Sequence, residues 1–155
     1  MTEIVEAVSE EQLDHIRNLF REYQAQLPPP FRAPSQQAVP GVYAPPKGKL
    51  LLAIVAGQPV GCVGLRPFPL EGACEMKHLY VRPTFRGGSV GRALAVQIID
   101  AARALGYTRL RLDTHPPTMK AALAMYKELG FREVGPGPVV PVNGLLYMEL
   151  LLTTT

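Results

Sequence analysis

Apolar and polar positions alternate from Glu3 to Ser9, EIVEAVS, and predict a first strand. Ser9 then opens a helix. Gln12 stands where the second half of a capping box belongs, and Leu13, Ile16, Leu19, Phe20, Tyr23 and Leu27 recur at helical spacing. Pro28, Pro29 and Pro30 end it. The next stretch, Pro28 to Pro46, has no period and is rich in proline, which predicts a long functional or loosely ordered loop. KLLLAIVA and PVGCVGLRPF read as strands joined by a type II′ turn at Gly57-Gln58, and ACEMKHLYVRP continues the meander.

A second helix follows, with Val90, Leu94, Ile98, Ala101, Ala102 and Leu105 as its buried face and Gly106 as its stop. TRLRLDT alternates as a strand. A third helix is predicted from about Pro117 to Leu129, and Phe131–Val134 and GLLYMELLL close the chain as strands. Cys74 to Thr114 then forms one strand–helix–strand crossover, whose two strands must run parallel. The expected fold is α/β: residues 1–155 as a single domain, with a mixed, mostly antiparallel sheet and helices on both faces.

Composition narrows the function classes. A chain of 155 residues with 47% apolar and 19% charged residues has enough apolar surface for a core. The net charge of +3 comes without any basic run, which argues against nucleic acid. No apolar run reaches membrane-spanning length, and the first residues carry no secretory signal pattern, so a cytoplasmic location away from membranes is expected. Cys62 and Cys74 lack metal-ligand spacing and are expected reduced, small and buried on strands. No metal site is expected.

The stretch VRPTFRGGSVGRAL carries the candidate chemistry. Glycines where a strand becomes a helix serve a tight turn, or they let a phosphate approach the unpaired N–H groups of the helix start. Arg86 and Arg92 add positive charge on either side. RGGSVG has neither the spacing of a dinucleotide fingerprint nor the ending of a P-loop.

The segment CEMKHLYVRPTFRGGSVGRALAVQIIDAARALGYTRLRLDT, followed by ALAMYKELGFREVG, resembles the GNAT superfamily of acyl-coenzyme A N-acyltransferases. The similarity spans Lys49 to Val134. The family signature (Arg or Gln, two residues, Gly, one residue, Gly or Ala) aligns with Arg86-Gly87-Gly88-Ser89-Val90-Gly91. The resemblance implies acetyl-coenzyme A as co-substrate. It assigns the pyrophosphate to backbone N–H groups from Gly87 to Arg92, and the pantetheine arm to the strand end at Leu79, Tyr80 and Val81. The sequence departs from the family at Ser89, in place of the first signature glycine, and at Met119, where relatives carry an asparagine.

The same resemblance implies Tyr126 as the acid that protonates the departing thiolate, and Glu75 as a general base acting through water. Taken as residues alone, Tyr126 reads as a packing tyrosine on an apolar helix face, and Glu75 equally suits a strand-edge carboxylate paired with Lys77 or Arg111. His115 beside Asp113 has no serine or cysteine in a matching motif. An acceptor-site role remains open for it. The Pro28–Pro46 loop is expected to wall the acceptor pocket, with Phe31, Arg32 and Tyr43 as candidate contacts; each also suits a packed surface loop. The expected function is transfer of an acetyl group to a primary amine of a small molecule or peptide by direct attack, by a chain that is a homodimer in many relatives. A non-catalytic coenzyme A-binding protein is the alternative.

Overall fold

Ser9 starts the first helix in the manner its sequence predicts. In the computed structural model, which describes residues 1–31 and 38–152, the Gln12 N–H donates to Ser9 Oγ at 3.1 Å. Ser9 N–H donates in return to Gln12 Oε1 at 3.0 Å. Helix α1 (Glu10–Gln26) follows strand β1 (Thr2–Glu6) and buries Leu13, Ile16, Leu19 and Phe20. The chain continues through β2 (Lys49–Val55), β3 (Gln58–Pro67), β4 (Ala73–Val81), α2 (Val90–Ala104), β5 (Arg109–Thr114), α3 (Lys120–Glu128), β6 (Arg132–Val134) and β7 (Leu146–Leu151). The strands form one seven-stranded sheet in the order β1-β2-β3-β4-β5-β7-β6. Among the described strands, only β4 and β5 pair in parallel.

The continuous apolar run of β2 has a direct cause: both faces of the sheet are covered. Leu50 and Leu52 pack with α1, Tyr43, Cys62 and Tyr80 on one face. Leu51 and Ala53 pack with Leu94, Ile98 and Ala102 of α2, and with Tyr126 and Phe131, on the other. Each large aliphatic side chain buried in this way contributes about 1.5–3 kcal/mol.

Three sequence expectations are corrected. The β2–β3 turn is Ala56-Gly57, with φ of 51° and 78°, closed by the pair Val55↔Gln58. Positive φ at both central residues is the signature of a type I′ turn, not the II′ turn expected at Gly57-Gln58. Leu105 caps α2 and is exposed, and Ala95 and Ile99 complete the buried face instead. Helix α3 starts at Lys120 rather than Pro117.

The turn yields a prediction. Ala56 is exposed and left-handed, a conformation that costs an L-residue about 1–2 kcal/mol. Ala56→Asn produces the Asn-Gly pair such turns prefer. It should raise stability by about 0.5–1 kcal/mol in urea unfolding, since asparagine relieves part of that cost. An unchanged midpoint would contradict the turn assignment.

Candidate active site

The site begins where two strands part. β4 and β5 pair only through Ala73↔Arg109, Cys74↔Leu110 and Glu75↔Arg111, yet β4 stays on β3 to Val81 and β5 stays on β7 to Thr114. A wedge therefore opens in the middle of the sheet. A bulge in β4 accompanies it. Cys62 pairs with Tyr80 but Gly64 pairs with Lys77, so His78 and Leu79 together face Val63. His78 absorbs the extra residue with φ 56°. Its ring enters the layer beneath α1, 4.2 Å from the Phe20 centroid and 5.2 Å from that of Tyr23. Burial, then the nearby charges of Lys77 and Arg66, push its pKa down to about 3, so the ring is neutral near pH 7.

Beyond the bulge, the Arg82 N–H donates to the Val60 carbonyl at 2.8 Å. By alternation, the backbone of Val81 faces away from β3, toward the wedge. Its carbonyl there accepts from Arg86 Nε at 2.8 Å. Glu22 of α1 braces this strand end by receiving Arg82 and the Tyr80 hydroxyl.

Two cavities meet in the wedge. The larger, about 490 Å³, runs past Leu79, Tyr80, Val81, Arg86, Gly87, Gly88, Gly91, Arg92 and Tyr126. The smaller, about 290 Å³, lies toward α1 and is lined by Phe31, Arg66, Thr114 and His115, among others. Tyr23, Lys77, His78, Asp113 and Met119 line both. Lys77 Nζ and Asp113 Oδ2 face each other across the wedge at 3.3 Å.

At the start of α2 the glycines leave room for a ligand. Gly87 has φ 86°, and a Cβ there or at Gly88 would meet nothing closer than 4 Å. Among the described residues, the backbone N–H groups from Gly87 to Arg92 find no acceptor. The first satisfied donor is Ala93, bonded to the Ser89 carbonyl at 2.9 Å. This cradle of free N–H groups suits an anion such as a pyrophosphate.

Other predicted residues fall differently. Ser89 and Val90 do not line the cavity, and the Ser89 hydroxyl caps nothing. Arg86 is fastened to Val81 and Gln26, and Arg92 to Glu128 at 3.0 Å. Glu75 is buried outside both cavities and pairs with Arg66 at 2.9 Å, not with Lys77 or Arg111. His115 binds Thr118 and stacks on Phe31 at 4.4 Å, while Asp113 is taken by Lys77. Tyr43 is a core residue, 1% exposed; Arg32 lies outside the described residues. Met119 accepts a hydrogen bond from Thr114 Oγ1 at 3.3 Å.

Tyr126 is 6% exposed and packs on Phe131 with centroids 5.6 Å apart. No described residue hydrogen-bonds its hydroxyl. Burial, then the fields of Tyr23 and Asp113, raise its pKa, so it holds its proton at neutral pH. Tyr23, Arg66, Lys77 and Asp113 were not singled out as site residues by the sequence. Their patterns are those of ordinary helix-face and strand positions, and only the wedge brings them together. The described residues hold no cluster of metal-ligating groups, and no helix among them is long and apolar enough to cross a membrane.

Comparison with known proteins bears on this arrangement. The family model described as the acetyltransferase (GNAT) family matches residues 13–131. An uncharacterized N-acetyltransferase of Schizosaccharomyces pombe is 41% identical over 109 residues, 70% of this chain and 66% of that protein. An IAA acetyltransferase of Azospirillum brasilense is 38% identical over 107 residues, 68% of this chain and 69% of that protein. The chain thus spans about two thirds of the length of these relatives. An acetyltransferase of the GNAT family from Staphylococcus aureus shares the fold, with a TM-score of 0.79 at 18% identity, over 99% of this chain and 100% of the other.

Proposed function

The chain belongs to the GNAT family of acetyltransferases, and from that premise we propose that it moves an acetyl group from acetyl-coenzyme A to a primary amine. The observation that carries this reading is the meeting of two cavities at one wedge, one with an anion cradle and the buried Tyr126, the other a smaller space of about 290 Å³. The donor's pyrophosphate rests on the N–H groups of Gly87 to Arg92, and its arm runs along the open edge of Leu79 to Val81 between the parted strands. The acceptor sits in the smaller cavity and presents its nitrogen at the shared residues.

The reaction is direct. The amine lone pair attacks the thioester carbonyl carbon, a C–N bond forms and the C–S bond breaks. The Tyr126 hydroxyl keeps its proton and donates a hydrogen bond to the departing sulfur, which leaves as a thiolate and takes its proton from solvent. The proton lost by the amine passes to solvent at the wedge, where Asp113 lowers the cost of the positive charge on the attacking nitrogen. Glu75 lines neither cavity and pairs with Arg66, which lines the smaller one.

Acetyl-coenzyme A at a hundredfold excess over its dissociation constant should add about 2.7 kcal/mol of stability. That raises the melting temperature by roughly 5–10 °C for a chain of this size. Free thiol should then appear when a mixture of primary amines is added, with the acetylated product read by mass. Absence of any melting shift would overturn the coenzyme site. A shift without thiol release from any amine would make the protein a coenzyme binder.

A further inference from the structure

Resting on that reading, we propose that the acceptor is a small amine that also carries a carboxylate, an amino-acid-like zwitterion, and that Arg66 binds the carboxylate. Among the described residues, the smaller cavity has one acidic lining residue, Asp113, and a basic one, Arg66, that does not line the larger cavity. Asp113 stands at the junction with the larger cavity, whereas Arg66 lines the smaller one alone. A molecule with an ammonium and a carboxylate is therefore oriented with its nitrogen toward the acyl group and its carboxylate away from it. Lys77 also stands at the junction and pairs with Asp113 at 3.3 Å, so each offsets the other and an incoming ammonium shares Asp113 with it.

The guanidinium of Arg66 is held for this role. Glu75, 7% exposed, accepts a hydrogen bond from Arg66 Nε at 3.0 Å and forms an ion pair with Nη2 at 2.9 Å through the same oxygen, Oε1. Among the described residues, Nη1 has no partner. One edge of the planar fork is thus fixed from within the protein and the other remains for a ligand. An arginine with its orientation set in advance loses little freedom when it takes a carboxylate. Glu75 offsets the charge of the guanidinium, so recognition rests on the directed N–H groups of the edge that Glu75 leaves unused, which a carboxylate can take.

The remaining walls fit a small occupant. Phe31 lies against the His115 ring at 4.4 Å, and Leu27, Val142 and Leu145 supply apolar surface. The cavity of about 290 Å³ is small for a ligand site. A polycationic acceptor would bring its extra charge against Arg66, and like charges at close range are strongly disfavoured.

Thiol release with acetyl-coenzyme A tests this, using the common L-amino acids, the carboxamide of each, and spermidine. The best amino acid should exceed its own carboxamide in kcat/KM by on the order of tenfold to a hundredfold, the effect of one charge-assisted recognition contact. Arg66→Gln should bring that ratio close to unity through the KM of the amino acid. The double variant Arg66→Gln, Glu75→Gln avoids a buried lone carboxylate and should behave alike, with the acetyl-coenzyme A melting shift showing that it is folded. Carboxamides or spermidine used as well as the amino acids, or a carboxylate preference that survives loss of Arg66, would overturn the acceptor assignment while leaving the transferase intact. Thiol release from the wider mixture of primary amines but from none of these would overturn this inference alone, and release from neither would overturn the transferase reading with it.

Discussion

Replacing Tyr126 with phenylalanine should lower kcat about a hundredfold and leave the KM for acetyl-coenzyme A nearly unchanged. The ring keeps its packing on Phe131, so stability should hold; no described residue loses a hydrogen bond with the hydroxyl. General acids contribute about 10²–10⁴ in rate. Two facts set the lower end here. A thiolate of pKa about 8.5 is already a fair leaving group. The burial that keeps Tyr126 protonated also makes its phenolate costly. Complete proton transfer to sulfur is uphill, and the main gain is a hydrogen bond to charge that develops in the transition state. Such an interaction appears in kcat rather than in coenzyme binding. Full turnover by the phenylalanine variant, with the chemical step shown to limit the rate, would return Tyr126 to a packing role and leave water as the donor.

The sequence made the fold legible wherever local chemistry and tertiary packing agree. Ser9 and Gln12 announce α1, and the unbroken apolar run of β2 announces a strand covered on both sides. Gly106 and Gly130, both at positive φ, mark the ends of α2 and α3. The parallel pairing of β4 with β5 follows from the crossover, but its end after Glu75 does not. No local signal says that paired strands will separate. That separation makes the site, so Lys77, Asp113 and Arg66 looked like alternating polar positions. Glu75 shows the same limit: Arg66, its partner, lies on β3, and the Arg66↔Glu75 register depends on the whole hairpin. Leu105 misled for the opposite reason. It keeps the helical period at the point where α2 ends and there is no more sheet to pack against. At Ala56 the weaker local preference lost to the length of the hairpin loop, which left alanine in a conformation better suited to asparagine or glycine.

His78 should make the fold sensitive to mild acid. Its imidazole fills the layer among Phe20, Tyr23 and Tyr43 and is 5% exposed, so protonation would place a charge in the core. The unfolded chain takes up that proton near pH 6.5, whereas the folded chain holds off until about pH 3. Between those values the unfolded state binds more protons, and stability falls as the pH falls. Above the window the contribution is flat. From pH 7 to pH 4.5 the loss from this one group is about 2–3 kcal/mol. Carboxylates add their own acid losses, so the test is a comparison. His78→Asn removes the titration and retains a residue that tolerates the positive φ of the bulge. The variant should be less stable at pH 7, because the ring contacts are gone, and yet lose less stability on acidification. Urea unfolding of both proteins at pH 7 and pH 4.5 gives the four values needed. The difference between them should narrow by about 2 kcal/mol at the lower pH, within the linkage of a single buried group. Parallel losses in the two proteins would mean that His78 titrates alike in the folded and unfolded chains, and that the bulge does not shield its ring from water.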